Sequence, residues 1–210
     1  MSKLETNTID NISGSSTLTV GDSNTSTISI PKNITLGASG TTITVPSGAT
    51  ITNNGTQTGF GGANTPAFEA YLSSNTDLSN STETKINCNT EVFDTASAYD
   101  NSSNYRFTVP SGQAGKYYIY GNVTVQTTGG VSTNRFGVGK IYKNGSVYRQ
   151  QYISYENNYG FSVSLNLHAT MDLSVGDYIE LYFYGAMSSG VPRVRSDDKS
   201  TYLGGYKIIE

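Results

Sequence analysis

The stretch Ser162-Val-Ser-Leu-Asn-Leu-His-Ala-Thr-Met-Asp-Leu173 alternates polar and apolar side chains throughout. A period of two is typical of a β-strand that buries one face and exposes the other. His168 falls on the polar face of this strand. The opposite, core face carries Val163, Leu165, Leu167 and Ala169. The pattern predicts a long strand over Phe161–Leu173, and with it a layered β-structure.

Eight further stretches after Phe60 alternate in the same way or are rich in β-branched and aromatic residues. They are Ala67–Leu72, Thr84–Asn87, Tyr105–Val109, Lys116–Gln126, Phe136–Tyr142, Val147–Ser154, Tyr178–Tyr184 and Tyr202–Ile208. Asn144-Gly145 predicts a hairpin, because a two-residue type I′ turn needs positive φ at both positions. No stretch has the periodicity and caps of a helix. We therefore predict an all-β fold, an antiparallel two-sheet sandwich of the jelly-roll type.

The aromatic residues divide the chain into two unlike parts. All 16 Tyr and 7 Phe residues lie at or beyond Phe60, whereas residues 1–59 are rich in Thr, Ser, Asn and Gly. Only the second part holds the large side chains that a packed core needs. We predict a Thr/Ser/Asn-rich β-shaft or virion-anchoring arm at 1–59, a Gly-rich linker at 60–65 and a globular head at 66–210.

Apolar residues in the first part come mostly as separated pairs, in very short alternating stretches that end at Gly or Pro. Such stretches bury too little apolar area to offset about 1–2 kcal/mol of backbone entropy per residue. We therefore expect three copies to wrap around one axis as a β-shaft, with a disordered linker as the alternative. The expected shaft contacts are Leu18, Val20, Ile28, Ile30, Ile34, Leu36, Ile43, Val45 and Ile51.

The second part resembles a known family over about residues 66 to 210. The resemblance is to the globular heads of complement component 1q and their tumour-necrosis-factor-like relatives. It rests on the ordered set Phe93-Asp-Thr, Tyr99-Asp100, Phe107-Thr-Val-Pro110, Gly115-Lys-Tyr117-Tyr118, Ile141-Tyr-Lys-Asn-Gly145, Leu173-Ser-Val-Gly-Asp177-Tyr-Ile-Glu-Leu181 and Gly205-Tyr-Lys-Ile208. The resemblance implies a ten-stranded jelly roll that assembles as a compact trimer, with both chain ends at one pole.

The first part resembles the Thr/Ser-rich repeats that precede such heads in structural proteins of marine bacteriophages. The stretch Thr42-Ile-Thr-Val-Pro-Ser-Gly-Ala-Thr-Ile51 carries this likeness. The residues after Met1 contain no apolar signal segment. Together these features favour a homotrimeric virion fibre that is assembled in the host cytoplasm and attached to the particle by its N-terminal part. A capsid head fibre or decoration protein and a non-viral bacterial adhesin or matrix protein are the alternatives.

Composition argues against several other functions. The net charge is −3, so the chain lacks the excess of basic residues that nucleic-acid binding requires. No run approaches the ~18 apolar residues of a membrane helix, and we expect no membrane insertion. His168 and Cys88 are the only residues of their kinds, which excludes an ordinary zinc site within one chain. We expect a buried, inert Cys88 thiol, no catalysis and no cofactor.

Acidic residues form two groups in polar turns. They are Asp172, Asp177 and Glu180 around one turn, and Asp197 and Asp198 in a polar loop. Oxygen-rich loops of this kind can bind calcium. Solvated turn carboxylates are the simpler interpretation, and we favour it.

Aromatic and arginine side chains are the most plausible binding residues, because these types dominate interface hot spots. Two predicted loops, Tyr152–Tyr159 and Val191–Asp198, carry them. Tyrosine rings beside amides and guanidinium groups suit recognition of a surface glycan. The candidates are Tyr152, Tyr155, Asn157, Asn158, Tyr159, Arg193 and Arg195. The alternatives are that the tyrosines fill the sandwich or the trimer axis, and that the arginines belong to a surface ion-pair cluster.

Overall fold

The computed structural model describes residues 64–128, 135–155 and 162–208, together with residues 42, 44, 45, 47–50 and 52. The chain divides into two units, Met1–Gln57 and Thr58–Glu210, and every strand below belongs to the second. The described part is all-β, with one 3₁₀ turn at Asp197–Lys199 and no α-helix. The described residues therefore contain no helix long and apolar enough to cross a membrane.

Thirteen strands occur among the described residues. They are β1 (Ala67–Tyr71), β2 (Thr76–Asp77), β3 (Glu83–Lys85), β4 (Thr90–Asp94), β5 (Tyr99–Asp100), β6 (Arg106–Thr108), β7 (Gly115–Thr128), β8 (Arg135–Lys143), β9 (Ser146–Tyr155), β10 (Val163–Leu173), β11 (Tyr178–Ala186), β12 (Val191–Val194) and β13 (Tyr202–Lys207).

The strands form two antiparallel sheets. In the first sheet, β4, β1, β13, β7 and β10 lie side by side in this order. β12 pairs with β7 beyond the end of β13, and β2 pairs with β12. In the second sheet the order is β5, β6, β11, β8 and β9, with β3 also paired to β11. Register shifts interrupt the pairing of β1 with β4 and of β8 with β9. The predicted two-sheet jelly roll is confirmed.

The core lies between the sheets and is built from alternate residues of each strand. In β10 the buried positions alternate with exposed ones from Leu165 to Leu173, as predicted, and His168 is exposed. Phe107 and Phe68 stack at the centre with ring centroids 4.5 Å apart. Cys88 is buried too, and burial raises the pKa of its thiol to about 12, so the thiol stays protonated and inert.

The predicted strands and turns agree with the structure where the signal is local. Asn144 and Gly145 have φ of 52° and 76°, which confirms the β8–β9 hairpin turn. Four short strands were missed: β2, β4, β5 and β12. Val191–Val194 was wrongly predicted as part of a loop. It forms a strand because β7 and β2 pair with it on either side.

The predicted shaft contacts fall almost wholly outside the described residues. Leu18, Val20, Ile28, Ile30, Ile34, Leu36, Ile43 and Ile51 are among those that the structure does not describe. Val45 is described, and its side chain is 43% exposed in the single chain. The shaft and the division at residues 60–65 stay predictions.

Candidate functional site

Three aromatic side chains project from the outer face of the second sheet. Ile141, Leu181 and Phe183 point into the core. Alternation along β8, β9 and β11 therefore directs the neighbouring set outward. This set is Phe136, Tyr152 and Tyr184, and we call it the aromatic shelf. Register explains why these three meet, because Val138 pairs with both Tyr152 and Tyr184.

The rings of the aromatic shelf contact one another but remain open to solvent. The ring centroid of Phe136 lies 5.5 Å from that of Tyr152 and 6.3 Å from that of Tyr184. Phe136 is 38% exposed and Tyr152 is 56% exposed. Exposed aromatic rings that already pack against each other present apolar area without the cost of ordering a flexible side chain.

Polar groups flank the aromatic shelf. Lys140 forms an ion pair with Glu83, and Gln150 Nε2 donates a hydrogen bond to the Tyr152 hydroxyl at 2.7 Å. Glu83, Lys140 and the three rings border an open hollow of about 590 Å³. Because Lys140 and Glu83 neutralise each other, the hollow offers hydrogen-bonding groups without a net charge. Such a surface suits a flat, uncharged, polar ligand.

The rest of this outer face is held by paired charges and stacked rings. Glu180 is 3% exposed, and its carboxylate lies 2.5 Å from Lys85 Nζ. Tyr142 packs against Tyr182 with ring centroids 4.2 Å apart. These contacts fix the strands that carry the aromatic shelf. Glu180, one of the acidic residues considered for calcium, is therefore half of an ion pair.

Asp177 holds the turn that joins β10 to β11. Its carboxylate accepts hydrogen bonds from Asn144 Nδ2 at 2.7 Å and Ser174 N at 2.9 Å, and it pairs with Lys143 Nζ at 2.9 Å. The bond from Asn144, followed by that from Ser174, lowers the pKa of Asp177 to about 2. No cluster of three or more potential metal ligands occurs among the described residues.

The structure separates the sequence-predicted binding residues. Tyr152 lies on β9 and not in a loop, and Tyr155 ends the same strand. Asn157, Asn158 and Tyr159 lie outside the described residues. Phe136 and Tyr184, which complete the aromatic shelf, were not predicted as binding residues. The alternation of Phe136 and Val138 with Gly137 and Gly139 was the available signal.

Both predicted binding arginines are engaged within the head. Arg193 on β12 makes two hydrogen bonds to the Asp77 carboxylate, at 2.6 and 3.0 Å. Arg195 pairs with Asp197 and also donates to Gln126. Their positions support the alternative of a surface ion-pair cluster. A role for either arginine in binding stays a prediction.

A second group of aromatic side chains covers the outer face of the first sheet. We call Tyr71, Tyr118, Tyr120, Tyr202 and Tyr206 the tyrosine face. Tyr118 lies 5.6 Å from Tyr206 and 6.1 Å from Tyr120, measured between ring centroids. Tyr120 also donates a hydrogen bond to Glu69 Oε2 at 2.9 Å, and burial followed by this bond raises its pKa. The rings of Tyr118, Tyr120, Tyr202 and Tyr206 contact one another across β7 and β13.

Gly204 makes room for this packing. A Cβ atom at Gly204 would lie 2.5 Å from the Tyr120 ring, which is closer than real Cβ contacts. The Tyr120 ring therefore lies against the backbone of β13 at Gly204.

Comparison with known proteins gives a likeness of fold. No protein-family model matches the chain, and no curated protein matches it. Among solved structures, the globular domain of zebrafish complement 1qA protein is similar with a TM-score of 0.47 and 14% identity, over 69% of this chain and 98% of that chain. The description of this head as a jelly roll rests on its own strand pairing.

Proposed function

We propose that this chain is the subunit of a homotrimeric bacteriophage fibre, attached to the particle by its N-terminal part, whose head binds host-surface glycans at the aromatic shelf. The observation that carries the binding role is the exposed, pre-packed set of Phe136, Tyr152 and Tyr184 beside hydrogen-bonding groups. The virion assignment is supported by the resemblance of residues 42–51 to bacteriophage stalk repeats. The proposal assigns the chain no catalytic activity.

Glycan binding follows from the chemistry of the aromatic shelf. The C–H groups on one side of a sugar ring carry slight positive charge and pack on the negative face of an aromatic ring. Glu83, Lys140 and the Tyr152 hydroxyl supply donors and acceptors for sugar hydroxyl groups. Since Lys140 and Glu83 are paired, we expect an uncharged sugar over the rings.

Self-association is supported by two separate features. The tyrosine face exposes part of each ring on a sheet surface, and Tyr206 is 38% exposed. The Thr/Ser-rich first part is too poor in apolar residues to bury a core by itself. A second and third copy would cover both. Analytical ultracentrifugation of the full chain should show a trimer at micromolar concentration, and a folded monomer would contradict this part of the proposal.

The binding role is tested with two tyrosines of the same strand. Tyr152→Ala should weaken binding of the full chain to host surface polysaccharide by about tenfold or more, as expected for an aromatic anchor. Tyr148→Ala is the matched control, since Tyr148 is 44% exposed on β9 but does not border the hollow. Equal binding by both variants and the parent, measured by calorimetry, would remove the assignment.

Attachment to the particle is tested by locating the protein. Electron microscopy of antibody-labelled particles should place it at the tail or on the capsid. Label on the surface of uninfected bacteria and not on particles would instead support the adhesin alternative.

A further inference from the structure

A second concave site lies at the open edge of the sandwich, between β9 and β10. It is a groove of about 330 Å³ that borders Tyr118, Arg149, Gln151, Asn166 and His168. β9 separates it from the aromatic shelf, and Gln150 reaches both, because it lines the groove and bonds to Tyr152. No described residue that lines the groove carries a carboxylate.

Arg149 is the cation that borders this groove, and it differs from the cations that form ion pairs elsewhere in the head. Lys85, Lys140 and Lys143 each pair with a carboxylate, as do Arg193 and Arg195. Arg149 forms neither an ion pair nor a side-chain hydrogen bond within the described part of the chain, and it is exposed. Its guanidinium group therefore keeps its donors available beside a concave surface.

The groups around Arg149 suit an oxyanion attached to a sugar. A guanidinium fork matches the two oxygens of a carboxylate or the oxygens of a phosphate. The amides of Gln151 and Asn166 and the imidazole of His168 add donors and acceptors for hydroxyl groups. A volume of about 330 Å³ is at the small end of ligand pockets, which fits one monosaccharide residue.

We propose that this groove binds the anionic group of an acidic saccharide, a sugar carboxylate or a sugar phosphate, with Arg149 as the residue that contacts the anion. The site is independent of the aromatic shelf, which has no unpaired cation among its described residues. A glycan with acidic and uncharged residues could contact both sides of β9.

His168 provides a direct readout, because the sequence contains one histidine. The imidazole carbon-bound protons of the full chain should shift on titration with glucuronic acid or glucose 6-phosphate, and remain unchanged with glucose. The more effective of the two anions identifies whether a carboxylate or a phosphate is preferred. Arg149→Gln should weaken the response by about tenfold or more, the loss typical of a charged hydrogen-bonding group.

Two control variants separate this proposal from the preceding one. Lys207→Gln removes a positive charge that does not line the groove and should leave the titration unchanged. Tyr152→Ala should weaken binding at the aromatic shelf and retain the His168 response. The proposal is overturned if neither anion shifts His168, if glucose shifts it equally, or if Arg149→Gln responds as the parent does. Coverage of the groove by a second copy would give the first of these results.

Discussion

The two outer faces of the head use the same residue type in opposite ways. On the tyrosine face, Tyr118, Tyr120 and Tyr202 are half-buried and interlocked, and Tyr120 is bonded to Glu69. On the aromatic shelf, Tyr152 is 56% exposed and its hydroxyl bonds to another surface residue. Composition alone would give both faces the same role. Packing indicates that the first face stabilises the head and that the second is available to a ligand.

The shared core gives the largest expected effect, because both faces depend on it. Phe107 is fully buried and stacks on Phe68. Phe107→Ala should lower the free energy of unfolding by about 3–5 kcal/mol, measured by urea denaturation. Val175→Ala, at a position that is 53% exposed, is the control and should change it little. A small loss for Phe107→Ala would show that the stacked rings are not central to stability.

The second-largest loss of stability is expected on the tyrosine face. Gly204→Ala should destabilise the head by about 1–3 kcal/mol, because the new methyl group would overlap the Tyr120 ring. The same substitution in a Tyr120→Ala background should cost clearly less, since the obstructing ring is gone. Urea denaturation of all four proteins measures the difference. Equal costs in both backgrounds would mean that the ring adapts freely.

Acidity should act on the turn that links the two sheets. The folded-state pKa of Asp177 lies near 2, below its usual value. Its contribution is therefore complete above the usual carboxyl pKa of about 4 and is lost as the pH falls through the folded-state pKa. Asp177→Asn should be less stable than the parent at pH 6, by roughly 1 kcal/mol, and this deficit should shrink at pH 2.5. A deficit that persists at low pH would contradict this role.

The smallest effect on stability is expected at the aromatic shelf. Tyr152→Ala should change the free energy of unfolding by less than about 0.5 kcal/mol, although it should weaken glycan binding. Tyr202→Ala on the tyrosine face should cost more, because that ring is half-buried against Tyr120. Thermal denaturation of the two variants compares the faces directly. A larger loss of stability for Tyr152→Ala than for Tyr202→Ala would contradict this comparison of the two faces.

The sequence was sufficient to predict a strand or turn wherever a single stretch of residues contains the pattern that determines it. The alternation of β10 and the Asn144-Gly145 turn were both predicted correctly. β12 was not predicted, because its strand geometry comes from pairing with β7 and β2 and not from its own residues. The aromatic shelf was only partly predicted for a related reason. Phe136, Tyr152 and Tyr184 meet through the register of three strands, which no local pattern determines.

The register shifts at the outer strands have a further consequence. β4 and β9 each end a sheet, and the pairing that joins each to its neighbour is irregular. A bulge twists a strand and spoils the regular row of amide and carbonyl groups that a foreign strand would need. At high local concentration, heads should therefore not pair with one another through these two edge strands, and they should not form fibrils by this route.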